Sequence, residues 1–136
     1  MHQVEHRFRA MGGPCRLRFA CADEAQAKRA ISAAEAEVRR LEQKYSRYLP
    51  DSLVSTINRA AGTRRPVPID SETAGLLSFA HTLWQQSAGL FDLTAGVLRR
   101  AWDFKSGRLP AQGAIDALLP LIGWDCVQWD QGTISL

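Results

Sequence analysis

The chain has 136 residues, 46% of them hydrophobic and 23% charged, with a net charge of +3. This is long enough for one ordinary domain with a core, and too apolar for intrinsic disorder. It has no apolar run of bilayer-spanning length, and its start, MHQVEHRFRAM, lacks an apolar secretory core, so a cytoplasmic location is expected.

Residues 4–10 and 15–21 read as two strands. Val4, His6, Phe8 and Ala10 alternate with Glu5, Arg7 and Arg9, and Cys15, Leu17, Phe19 and Cys21 alternate with Arg16, Arg18 and Ala20. Met11–Gly12–Gly13–Pro14 between them reads as a turn or bulge. Asp23 is an N-cap for a helix to about Tyr45, with Ala27, Ala30, Ile31, Ala34, Val38, Leu41 and Tyr45 on one stripe. Its alanines predict close packing on a sheet. Pro50 ends that segment, and Asp51 or Ser52 caps a short helix through Asn58. Val67 and Ile69 flank Pro68 in a short edge or irregular strand. Asp70 or Ser71 opens a helix to about Ser87, with Leu76, Leu77, Ala80, Leu83 and Trp84 inward and Gly89 as the residue after its C-cap. Further helices are predicted over Thr94–Trp102 and Gln112–Leu119. Val127–Trp129 and Thr133–Leu136 read as a hairpin around Asp130–Gln131–Gly132. Leu136 is then a strand residue with nothing after it, a poor place for an independent domain to end. There is no repeat, low-complexity tract or linker.

The charge is uneven. Residues 1–65 carry 13 Lys/Arg against 7 Asp/Glu, a balance of +6; residues 66–136 carry 4 against 7, a balance of −3. A basic half attracts phosphate-bearing ligands. Yet Arg39, Arg40, Lys44 and Arg47 interleave with Glu35, Glu37 and Glu42, the pattern of a solvated helix face. With no recognition helix or aromatic ladder, no nucleic-acid partner is expected. Cys15, Cys21 and Cys126 form an odd set without CxxC spacing and read as packing thiols. His2 and His6 fall at a fraying end, and His81 at a packed or surface helix position. No zinc-type spacing occurs.

Three places carry side chains suited to a planar, polar ligand. Tyr48 lies at a helix-to-turn corner, where its ring can stack on a flavin or adenine, or simply cover the core. Met11 can lay a thioether on an aromatic ring system or plug the end of the hairpin. In Ser87–Phe104, SAGLFDLTAGVLRRAWDF, Leu90, Phe91 and Asp92 follow a helix end. Asp92 there can accept from a ring N–H or a ribitol hydroxyl, or cap the next helix.

Taken together, FRAMGGPCRLRF (8–19), YSRYLPDSLVSTIN (45–58) and SAGLFDLTAGVL (87–98) resemble, in order and spacing, the N-terminal half of the ApbE family, the FAD:protein FMN transferases. The resemblance runs from about Phe8 to the last residue. YSRYLPDS matches the family's LSxYxPDS, MGG matches MGT with Gly13 replacing the threonine, and SAGLFDLTAGVL matches SxGxFDxTxGPL with Val97 replacing proline. Ser52, Ser55 and Asn58 match PDSxxSxxN and read as local caps. Trp102 and Phe104 match WxF, with Asp103 where glycine is usual, and are assigned to the core. Thr94 and Gly96 read as scaffold.

The resemblance implies an α+β fold, a mostly antiparallel sheet covered by helices, as the N-terminal portion (1–136) of an ApbE-like domain and by itself incomplete. It implies FAD contacts from Met11, Tyr48, Leu90, Phe91 and Asp92. The implied reaction moves FMN from the substrate FAD to a Thr or Ser hydroxyl of an acceptor flavoprotein and releases AMP. It implies Mg²⁺, whose ligands, with a D-x-G-G-type segment, belong to the C-terminal half of the considerably longer family members. No catalytic or metal residue is therefore assigned here. The alternative is a non-catalytic FAD-binding or partner-binding module without the metal-binding half.

Overall fold

The computed structural model describes residues 2–136. They form two compact units, one up to Arg59 and one from Ala60. The antiparallel strands expected of a single sheet fall into two, one in each unit. The boundary lies in the last turn of a helix, Leu53–Ala60.

The first unit opens with β1 (His2–Ala10) and β2 (Gly13–Cys21), an antiparallel hairpin in the register Ala10↔Gly13 to His2↔Cys21. The alternation works as expected: Val4, His6, Phe8, Cys15, Leu17 and Phe19 are half-buried, Ala10 and Cys21 are buried, and the residues between them are exposed. On the outer face Glu5 accepts from Arg18 across the strands at 2.9 Å and from Arg7 at 2.8 Å. Both strands are longer than expected, because pairing continues through Pro14↔Arg9 to the tip. His2 and His6 therefore lie within β1 and not in a frayed end, and His6 also bonds Glu35.

Helix α1 (Glu24–Tyr45) packs on both strands. Its N-cap Asp23 accepts from Gln26 N at 2.7 Å, while the Gln26 side chain reaches back to Ala22 N at 2.8 Å. Ala27 is buried, and Ile31, Ala34, Val38, Leu41 and Tyr45 follow half-buried on the same face. Ala30 is exposed, because the stripe is narrower than the run of apolar letters. Ser46 leaves helical geometry with ψ 118° and ends α1. Helix α2 (Leu53–Ala60) starts at Ser52, whose buried hydroxyl accepts from Ser55 N at 3.0 Å.

In the second unit β3 (Val67–Pro68), β4 (Gln128–Trp129) and β5 (Thr133–Ser135) form an antiparallel sheet in the order β3-β5-β4. Pro68 occupies an edge strand, the place open to a residue without an N–H. Asp130 closes the β4–β5 hairpin by accepting from Gly132 N and Thr133 N, both at 2.7 Å. Helix α3 (Ser71–Gln86) is capped by Asp70, which accepts from Thr73 N at 3.0 Å and Thr73 Oγ1 at 2.7 Å. It buries Thr73, Ala74, Leu77 and Ala80; Leu76 is 49% exposed, since the inward stripe is set by Ala74 and Leu77. A 3₁₀ helix covers Leu93–Arg100, and α4 spans only Gln112–Asp116. Buried Val67, Ile69, Trp124 and Ile134 complete the list of core positions here. Phe104, assigned to the core, is 67% exposed; its ring stacks on Trp102 at 6.0 Å with the Arg99 guanidinium 4.8 Å from its centroid.

Candidate functional site

The first group of candidates gathers at the tip of the β1–β2 hairpin. Ala10 pairs with Gly13, so the loop is Met11–Gly12 alone, with φ 53° and 76°. A two-residue loop with both φ positive has the twist that suits antiparallel strands, and glycine accepts it freely where Met11 does not. The Met11 side chain is 59% exposed. Its backbone N–H donates to Glu42 Oε1 at 2.7 Å, from a residue 31 positions on.

That bond fixes the direction of α1, which starts beside the open end of the hairpin and finishes at its tip. Tyr48, six residues beyond Glu42, consequently belongs to the same end of the unit as Met11. Tyr48 is 70% exposed on a short turn. The turn is built by Leu49 N to Ser46 O at 3.3 Å, Ser52 N to Leu49 O at 3.2 Å, and the Arg59 guanidinium donating to Pro50 O at 2.6 Å. Ser52 is the local cap its spacing suggests, and Ser55 Oγ also donates to Arg47 O at 3.4 Å, beside Tyr48. Sequence reasoning missed Glu42 and Arg59. Glu42 was masked by the charge pattern of α1, where Arg40 pairs with Glu37 at 2.7 Å and Lys28 with Glu24 at 2.8 Å.

The second group lies after α3. Ala88 and Gly89 both take left-handed geometry, φ 52° and 83°, so the reversal begins one residue before the expected Gly89. Gly89 N returns to Trp84 O at 2.9 Å. Ser87 Oγ accepts from Phe91 N at 2.9 Å and donates to Trp84 O at 3.2 Å. Leu90 is thereby held out at 93% exposure, and Phe91 at 41%.

Asp92 is the cap of the 3₁₀ helix. Its Oδ1 accepts from Thr94 N at 2.7 Å and Thr94 Oγ1 at 2.6 Å, and its Oδ2 accepts from Trp124 N at 3.1 Å. Thr94 Oγ1 in turn accepts from Gly123 N at 2.8 Å. The capping role left open by the sequence is therefore present, and it leaves one lone pair, on Oδ2, facing no protein donor among these bonds. Trp124, buried at 4% exposure, donates its indole N–H to His81 Nδ1 at 3.0 Å. That bond requires the imidazole to carry its proton on Nε2. His81 also stacks on Trp84, with ring centroids 5.9 Å apart.

A cleft of about 380 Å³ opens in this unit beside His81, Trp84, Trp124, Asp125, Val127 and Trp129. None of the candidate ligand residues lines it. Among the described residues no group of three or more His, Cys, Asp and Glu side chains is placed to hold a metal ion. Cys15, Cys21 and Cys126 are free thiols, and no described helix is long and apolar enough to cross a membrane.

An α+β chain whose left-handed turn, Asp cap and bridging threonine follow the SxGxFDxT spacing belongs to a definable class. The ApbE family model matches residues 11–136, and the chain belongs to the ApbE family. It is 31% identical over 94 residues to the FAD:protein FMN transferase of Chlamydia pneumoniae, an alignment covering 68% of this chain and 30% of that protein. It is similar to the ApbE protein of Thermotoga maritima, with a TM-score of 0.81 and 25% identity over 99% of this chain and 45% of that one. The flavinyl transferase ApbE of Pseudomonas stutzeri, in its apo form, gives a TM-score of 0.79 at 24% identity, over 98% of this chain and 46% of its own. A variant of the flavin transferase ApbE from Vibrio cholerae gives 0.83 at 20% identity, over 99% and 48%. The last two establish likeness of fold. The chain spans less than half the length of each of these proteins.

Proposed function

We infer that this chain is the N-terminal, flavin-contacting portion of an FAD:protein FMN transferase. The observation that carries the reading is the loop Ser87–Thr94. Its serine, left-handed glycine, aspartate and threonine are the family's motif residues, and their bonds hold Leu90 and Phe91 out to solvent. Two apolar side chains held exposed by a bonded loop are suited to a planar ring system. In this reading Met11 and Tyr48 contribute a thioether and a stacking ring, and Asp92 contributes its remaining lone pair and the backbone around it.

The reaction joins the hydroxyl oxygen of an acceptor Thr or Ser to the FMN phosphorus of FAD. The bond from that phosphorus to the bridging oxygen breaks, AMP leaves, and the hydroxyl proton passes to a base or solvent. This chain's share is binding and orientation of FAD. Mg²⁺, in the family's chemistry, offsets charge on the phosphates; its ligands belong outside these residues, and no step here passes through the ion. The acceptor is a flavoprotein presenting a Thr or Ser hydroxyl, and the free thiols accord with a cytoplasmic setting.

The test uses the full protein carrying this chain, supplied with FAD, Mg²⁺ and a threonine-containing acceptor. Covalent flavin on the acceptor with one AMP per transfer is the expected result. FAD binding without AMP release favours the second reading, a non-catalytic FAD-binding or partner-binding module, which draws on the lack of a metal-type cluster among the described residues.

A further inference from the structure

We propose that Glu42 is a positioning residue for the flavin-contacting Met11, acting on the hairpin tip without touching the ligand. The proposal rests on the reading that Met11 contacts FAD. Beyond the Ala10↔Gly13 pair the strand ladder offers the tip no further bonds, and Met11 holds a left-handed backbone that its Cβ disfavours. The Glu42 side chain bonds this loop, its Oε1 accepting from Met11 N at 2.7 Å. The bond needs a side-chain acceptor oxygen at this place, which a carboxylate supplies and a side-chain amide can supply too.

The helix is placed for this task. Glu35, seven residues earlier and two turns away on the same face, bonds His6 in the middle of β1. The pair of carboxylates therefore grips the hairpin at mid-strand and again at its tip. Both are half-buried, unlike Glu24 and Glu37, which form ordinary exposed pairs along the helix. A negative charge beside a phosphate-bearing ligand is electrostatically unfavourable. The useful property of Glu42 is therefore its acceptor oxygen and not its charge, and glutamine should replace it.

The experiment measures FAD affinity and steady-state kinetics in the full protein for Glu42→Ala, Glu42→Gln, Met11→Ala and the Met11→Ala/Glu42→Ala pair. Loss of one such hydrogen bond predicts FAD binding about tenfold weaker in Glu42→Ala. That loss should appear as a raised KM for FAD with kcat unchanged. Glu42→Gln should match the wild type, and the double variant should bind no more weakly than Met11→Ala alone. Unchanged affinity in Glu42→Ala, with Met11→Ala impaired, overturns the positioning role and leaves the flavin reading standing. Unchanged affinity in Met11→Ala removes the flavin reading at that residue, and this proposal with it. Equal impairment of Glu42→Gln and Glu42→Ala makes the role one of charge and also overturns it.

Discussion

The carboxylate of Asp92 accepts the backbone N–H of Trp124 at 3.1 Å, from a residue 32 positions away, while its other oxygen caps the 3₁₀ helix through Thr94. One side chain thus fixes the loop carrying Leu90 and Phe91 at both its sequence neighbour and a distant turn. A residue that matches a ligand-binding motif here carries structure as well.

Asp92→Ala removes the cap and leaves the Trp124 N–H without its acceptor, so it should destabilise the protein by about 2 kcal/mol. Asp92→Asn keeps one acceptor oxygen and should lose less. Denaturant unfolding of the full protein measures both. A loss of flavin affinity in Asp92→Asn at nearly wild-type stability would assign the spare Oδ2 lone pair to the ligand.

Tyr48→Ala should behave in the opposite way. The residue is 70% exposed, so removal of its ring should change stability by no more than about 0.5 kcal/mol. Stacking on a flavin or adenine is worth on the order of 1–3 kcal/mol, so FAD binding should weaken roughly five- to a hundredfold. Tyr48→Phe should retain most of it. Calorimetric titration with FAD beside thermal melts decides the matter; a drop in melting temperature with unchanged affinity makes Tyr48 a structural residue.

Asp130 gives the clearest pH dependence. The backbone N–H groups of Gly132 and Thr133 donate to its carboxylate and hold its pKa below the ordinary carboxylate range. A depressed folded pKa means that the stabilisation is fully present above the unfolded-state value. It is lost as pH falls through the lower, folded one. Asp130→Asn keeps an acceptor but cannot titrate. Its deficit in melting temperature relative to wild type should be constant near neutrality and vanish on strong acidification. A deficit that persists unchanged in acid would show that the carboxylate's charge plays no part in the β4–β5 turn.

Local rules made much of the chain legible as sequence. Alternation gave both strands of the first hairpin, and Asp23, Ser52, Asp70 and the Asp130–Gly132 turn all work as their side-chain chemistry dictates. These features depend on bonds spanning a few residues, which a linear pattern encodes. Leu76 and Phe104 went the other way. Apolar character marks a residue as able to enter a core, but the face that enters is chosen by what packs against it.

The sequence by itself determined the order of elements, the caps and turns, and the motif residues that place the chain in the ApbE family. Only the tertiary structure decided that Glu42 ties the hairpin tip rather than pairing along its own helix, and that Asp92 reaches Trp124. It also decided that Met11 and Tyr48 share one end of the first unit. The physical reason is the same in each case. A carboxylate bonds whichever donor the folded backbone brings within about 3 Å, and proximity across 31 or 32 residues is a property of the fold that no local spacing records.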